Sequence, residues 1–472
     1  MRLRIQRGKI PVALVIIFLL LLTAKDFIGI SIPGIVFTAL WMMILLFADE
    51  DTSTAFTLSS VICFASTLSI TIPCVFYIFL NLFRKKTLKL DAIFLTSIYV
   101  ALIEFFRLVA GSEEDFRLYV NSMAVLFLVS TVISKLKEKS ASADLCIKYY
   151  IACFAFLSLD IIWATVRSLG NLRAIISGSF RIGQVDLLDE SMTGIFSINA
   201  NGIALMSVLA VSSVMLLMSK KYFTKKMAIP LLIYFSAVGL LTVSKTFILV
   251  YAGFWCLYVC WYSSKSNTNI FKPFALVGAF ILIIVFMWNT DIVQNVIVRF
   301  DTNDLTTGRV DVAVDYFDYM EQNRIASIIG IGLQNVTSKT ALVHVPHNAI
   351  LEIYVCFGIV GIIAYSLFFM SLVRSGIQKC KTSTNYDGRI LINLIPFISF
   401  FVFIQSLQFL RINYIYASIA IAFAAMILTE YNGPLVKTIS RNFILNDFDF
   451  CNTCAKRTFG MQQPAACMSR LL

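Results

Sequence analysis

Charge is scarce in this chain, and histidine is almost missing. Asp, Glu, Lys and Arg make up 14% of the 472 residues, and His occurs twice. Soluble domains carry about 25% charged and roughly 45–50% apolar residues. Here the apolar share is 59% and the mean hydropathy +0.83. So little charge excludes an ordinary water-soluble globule and points to a helical bundle in a bilayer. Proline is sparse at 9 residues, and the 41 Phe suit lipid-facing helices. No lone N-terminal apolar stretch ends in a small-residue cleavage site, so Ile10 onward reads as a retained span. A second cysteine pair is also missing. Cys451 and Cys454 form a lone CxxC without further ligands at zinc spacing, and the other cysteines lie mostly in apolar runs as small hydrophobes. No internal repeat is visible. The net charge of +12 sits in short clusters between apolar runs, a signature of topology rather than of nucleic-acid binding.

A spanning helix needs about 20 mostly apolar residues. Runs of that kind fall at 10–24, 28–47, 55–82, 91–110, 117–134, 146–166, 197–218, 227–243, 246–262, 273–290, 348–373, 390–410 and 412–429. Arg2, Arg4, Arg7 and Lys9 place the N-terminus in the cytoplasm. Lys135, Lys137 and Lys139 mark a further inside loop, as do Lys220, Lys221, Lys225 and Lys226, then Lys265 and Lys272, then Arg374, Lys379, Lys381 and Arg389. The 111–117 connection is acidic through Glu113, Glu114 and Asp115. This pattern puts 167–196 and 291–347 on the outer face and the C-terminus inside. The cluster Arg84, Lys85, Lys86 and Lys89 conflicts with it. An inside placement needs an even number of crossings before it, yet three apolar runs precede it. Either 10–47 makes a single crossing with a broken or re-entrant piece, or that loop is an exception to the charge rule.

The long polar stretch from Asp291 to His347 holds both histidines, His344 and His347. Loops longer than about 12–15 residues usually carry function or structure of their own. Val310, Ala313, Val314 and Phe317 recur at helical spacing, with Asp311, Asp315 and Asp318 on another face. The spacing predicts an amphipathic helix over 308–322, lying on the bundle or the membrane surface, with Thr306 or Thr307 as its cap. Arg309 then falls in the first turn, where free N–H groups and a guanidinium fork suit phosphate; a plain surface arginine is the alternative. The Asp row reads as a solvated face, so no metal is expected. Gly330-Ile331-Gly332 signals a tight turn. Pro346-His347-Asn348 leads into an apolar helix that Asn348 can cap, which holds His347 at the membrane boundary. Glu352 follows one turn later, as a functional candidate or at the headgroup level.

Segment 167–196 carries Arg167, Arg173 and Arg181. Three arginines on an outer face run against the charge bias, so anionic head groups or a substrate pyrophosphate should hold them. Lys245, in Ser244-Lys245-Thr246 between two spans, either snorkels or adds positive charge to the same cavity. Glu104 with Arg107, and Asp160 alone, are charges within spans. They are the features that a transporter of an anionic or lipid-linked solute would use.

Together, Thr307-Gly308-Arg309, the Gly330–Gly332 turn, Pro346-His347-Asn348 with Leu351 and Glu352, and Gly358 to Gly361 resemble the signature of the O-antigen polymerase and ligase superfamily of bacterial inner membranes. Gly194-Ile195-Phe196 with Asn199 to Asn201 is similar to a Gly-x-Phe…Asn motif of that family. Ser244-Lys245-Thr246 looks like its Ser-Arg element, with Lys in place of Arg. The ten-residue spacing from Arg167 to Gly178 resembles a motif of the polymerase branch. The resemblance implies an all-α, polytopic bundle of about 12 spans (roughly 11 to 14) with one long periplasmic loop. Its parts are a membrane bundle over 1–290 with the 167–196 loop, a catalytic loop over 291–347, membrane helices over 348–430 and a cytoplasmic tail over 431–472. The implied activity is a metal-independent glycosyltransferase of the inner membrane, without cofactor, whose site faces the periplasm. Its donor is an oligosaccharide on undecaprenyl pyrophosphate, and its partners are membrane lipid and a chain-length regulator protein. Polymerases join repeat units, ligases hand the glycan to the lipid A core, and Lys245 favours the polymerase branch. The implied roles are His347 as base, Asn348 and Glu352 orienting it or the sugar, and Arg309 and Arg181 on the pyrophosphate. Arg167, Arg173 and Lys245 are lesser candidates, and His344 is a second base.

Overall fold

A computed structural model describes residues 9–65, 68–85, 91–109, 116–139, 142–169, 173, 175, 181–183, 199–265, 294, 297, 308–333, 336–342, 344–382 and 390–430. The expected span 273–290, the Gly194–Phe196 motif, the Glu113–Asp115 loop, Thr306, Thr307 and the tail cysteines lie outside them. Among the described residues all regular structure is helical. The N-terminal helices are α1 (Lys9–Thr23, prolonged by a π turn, Ala24–Ile28), α2 (Gly34–Phe47), α3 (Glu50–Phe64), α4 (Thr71–Lys85), α5 (Ala92–Val109), α6 (Phe116–Glu138) and α7 (Ala143–Leu169). Then follow α8 (Ala200–Ser219), α9 (Lys225–Leu241), α10 (Lys245–Lys265), α11 (Arg309–Gln322), α12 (Arg324–Ile329) and α13 (Val336–Thr340). The chain continues with α14 (Ala349–Thr382), α15 (Ile390–Ile404) and α16 (Asn413–Ile427).

The chain is an integral membrane protein. Among the described residues, five helical stretches are long and apolar enough to cross a bilayer: Ile10–Ile28, Tyr119–Glu138, Ala143–Arg167, Ala200–Ser219 and Ala349–Cys380. Six more apolar helices are shorter. Helices α8 and α16 are apolar all round and nearly every residue in them is buried, so they form the centre. Helix α16 packs on α3, α6, α7 and α14, and α8 packs on α9 and α15. In contrast, α14 presents Ile350, Ile359, Ile363, Leu367 and Met370 outward, a stripe suited to lipid.

The 55–82 run corrects the expected span. It is not one crossing but two helices, α3 and α4, folded back on each other; Thr54 and Tyr77 share a 2.8 Å hydrogen bond. Four helices, α1 to α4, therefore precede the Arg84 cluster among the described residues. The run is interrupted in sequence by Ser66, Thr67 and Ser69, which fall between α3 and α4.

A closed ion cluster ties α3 to α6 and to the start of α7. Lys135 donates to the Glu50 carbonyl and to Thr54 Oγ1, both at 2.6 Å, and lies 3.3 Å from the Glu50 carboxylate and 3.4 Å from that of Asp51. Asp51 also pairs with Lys139 at 2.5 Å and accepts from Ser142 at 2.7 Å.

Candidate active site at the outer-loop cavity

Helix α14 is broken at Gly358, whose φ of 65° and ψ of −162° suit glycine alone. A break in a spanning helix frees carbonyls that must find donors. The outer loop supplies them. Ile331 N–H donates to the Val355 carbonyl and Gly332 N–H to that of Cys356, both at 2.9 Å, while the Tyr99 hydroxyl donates to that of Phe357 at 3.3 Å. Gly330 and Gly332 have φ of 75° and 93°. A side chain at Gly330 would run into the Cys356 carbonyl. The Gly330–Gly332 turn is thus the seam that sews the outer loop onto the helix break. Glu104 accepts from Leu333 N–H at 2.6 Å and secures the same turn.

Above this seam lies α11. It begins at Arg309, close to the expected start, but its N-cap is Gly308 in the left-handed region (φ 74°), without a side-chain cap. The N-cap position thus falls to Gly308 and not to Thr306 or Thr307, which lie outside the described residues. The buried face also differs from expectation. Tyr316 and Met320 turn inward with Val312 half-buried beside them, while Val310, Val314 and Phe317 are exposed. The Tyr316 hydroxyl donates to the His344 carbonyl at 2.8 Å, which fixes the strand carrying both histidines.

These elements enclose a cavity of about 320 Å³. Arg309, His344 and His347 line it together with Gly308 and Val312. Asn199, Asn201, Leu407, Gln408 and Ile412 complete the lining. The arginine and both histidines, 35 to 38 positions apart in sequence (309 to 344 and 347), meet in one recess. Among the described residues, the lining contains no carboxylate. Partial burial, then the neighbouring Arg309 and His344 side chains, push the His347 imidazole below its ordinary pKa. It is thereby kept neutral near pH 7, the form that accepts a proton. Part of the ring stays open to the recess. A second groove, about 710 Å³, runs between α14 and α15, but its lining is apolar apart from Arg374 and Gln378, so it offers no acid–base pair.

Asn348 caps α14, as its position suggests. Its Oδ1 accepts from the N–H groups of Ile350 and Leu351, each at 3.0 Å. Glu352 is fully buried and does not line the cavity; it accepts backbone N–H groups from the α15–α16 loop. The remaining cationic candidates stand outside the lining. Arg181 donates from Nε to the Thr242 carbonyl at 2.7 Å, just before the turn into α10. Lys245 is the first residue of α10, and Arg167 lies beside Gly29 at the end of the π turn. Arg173 is exposed. Ser244 links this region to the cavity. Its hydroxyl donates to Asn201 Oδ1 at 2.9 Å, joining the starts of α10 and α8. Asn199 caps α8 by accepting from Gly202 N–H at 2.8 Å.

Residues 230–366 match the family model described as O-antigen ligase. The match runs from within α9 into α14 and includes Arg309, His344, His347, Asn348 and Glu352. The chain thus carries a segment of the O-antigen ligase and polymerase superfamily, whose members are membrane enzymes acting on polysaccharide. No curated protein matches the chain.

Proposed function

We infer that the chain is an O-antigen or related surface-polysaccharide polymerase of about 12 spans in the bacterial inner membrane, with this cavity on the periplasmic face. The observation that carries the reading is the meeting of Arg309, His344 and His347 in one recess, with no carboxylate among its described lining residues. Such a recess favours an anion, and a lipid pyrophosphate is one.

A hydroxyl of one repeat unit attacks the anomeric carbon of another that is held on undecaprenyl pyrophosphate. The new C–O bond forms as the bond to the pyrophosphate oxygen breaks. The leaving group is already acidic, so it needs neutralisation by Arg309, with Arg181 at the border, rather than a general acid or a metal. His347, held neutral, takes the proton of the attacking hydroxyl. Asn348 places His347 by capping the helix that begins just after it. Ligase chemistry, with a lipid A core acceptor, uses the same recess, and the description of the matching family favours it; Lys245 in the Ser-Arg position favours the polymerase.

His347→Ala tests the base. The variant should insert normally and lose transfer by about 10²–10⁴-fold. Normal glycan ladders from it would remove His347 from the mechanism. The glycans of a strain lacking the chain separate the rival readings. Single repeat units on the surface core mean a missing polymerase, unattached polymer a missing ligase, and no units across the membrane a missing transporter.

A further inference from the structure

The loop between α15 and α16, residues 405–412, forms part of the cavity and is held by two side chains from one turn of α14. Asn348 Nδ2 donates to the Gln405 carbonyl at 3.2 Å. Glu352 takes three consecutive backbone N–H groups: Phe409 at 2.5 Å and Leu410 at 2.9 Å on Oε2, and Arg411 at 3.2 Å on Oε1. Leu407 and Gln408 sit between these two holds, and both line the cavity. Glu352 is wholly buried and turned toward the loop backbone. A buried carboxylate engaged in this way fixes main chain; it does not reach a ligand.

Gln408 is half-buried in the cavity wall, and among the described residues its side-chain amide has no hydrogen-bond partner. Unlike the arginine, it is neutral and offers donors and an acceptor on one planar group. A sugar hydroxyl both donates and accepts, so an amide complements it, while the arginine complements the pyrophosphate. Apolar Leu407 and Ile412 beside it suit the C–H face of a sugar ring.

Accepting that this cavity transfers sugars, we propose that Gln408 hydrogen-bonds a substrate sugar and selects among sugars. In the same proposal Glu352 is a positioning residue that aims Gln408 through the loop backbone. Since Asn348 and Glu352 belong to the turn that His347 precedes, one element sets the base and the sugar contact in register.

The test uses the full chain in lipid nanodiscs. The substrate is the undecaprenyl-pyrophosphate-linked repeat unit isolated from a strain lacking the chain. Gln408→Ala should raise KM by about 3- to 10-fold, the worth of one hydrogen bond, and leave kcat within about twofold. Glu352→Gln, which sets an amide N–H against backbone donors, should raise KM at least as much. Adding Gln408→Ala to it should then change little further, because the aimed amide is already displaced. If Glu352→Gln melts too early to assay, Gln408→Ala alone decides. A wild-type KM in Gln408→Ala overturns the proposal, and so do fully additive effects in the double variant. Should His347→Ala and Arg309→Ala both retain full transfer, the cavity is not the reaction site, and this inference falls with that reading. Should those two be inactive while Gln408→Ala matches wild type, only the role of Gln408 is lost.

Discussion

Two groups of basic side chains in this molecule keep opposite company. Lys135 and Lys139 sit against Glu50 and Asp51 at 2.5 to 3.4 Å, and hydroxyls of Thr54 and Ser142 fill in around them. Arg309, His344 and His347 share a recess whose other described lining residues are amides and apolar groups. The first group is electrically complete and ties three helices. The second leaves its positive charge to be answered from outside, which is the electrostatic condition for holding an anion. What separates scaffold from site is whether the described residues around the basic groups supply the counter-charge.

The comparison breaks most sharply at Arg309. Arg309→Ala should lower transfer by about 10²–10³-fold, the scale for losing one preorganised stabilising group. The residual activity carries a second signature. Activity should fall as pH drops and His347 takes up a proton. In the wild type this acid limb lies below the ordinary imidazole pKa, because partial burial and the neighbouring Arg309 and His344 side chains disfavour protonation. Removing Arg309 relieves one of those repulsions, so the limb should move up in pH. A limb that stays put would mean that His347 does not feel Arg309, and that the recess is not one electrostatic unit.

The inner cluster should behave in the reverse manner. Lys135→Met should lower stability by about 2 kcal/mol, because two carboxylates lose a buried partner while keeping some access to water. Thermal unfolding in detergent measures this. The kcat of the folded fraction and its acid limb should match wild type. A change in the acid limb there would erase the division between scaffold and site.

Much of the outer site could be read from residue order. The helix from Arg309, the Asn348 cap and the shared location of both histidines follow from local rules: a periodic stripe, a capping residue before an apolar run, and a scarce residue type concentrated in one loop. What depends on distant contacts could not be read. Glu352 looked like a lone intramembrane carboxylate, because its three N–H partners lie 57 to 59 positions away. The Gln405-Ser406-Leu407-Gln408 stretch was absorbed into an apolar run, although two glutamines so close together in such a run were a readable warning of a break. The outer arginines drew attention by charge alone. Charge does not say which carbonyl an arginine already serves, as Arg181 serves that of Thr242.

The break at Gly358 divides α14 into two rods of unequal duty. The short upper rod, Ala349–Phe357, is stitched to the outer loop through the Val355 and Cys356 carbonyls. The long lower rod faces lipid. When bilayer thickness changes, a spanning helix accommodates by tilting or kinking. The glycine joint puts the one break in this helix between the rod tied to the outer loop and the rod that crosses the apolar layer.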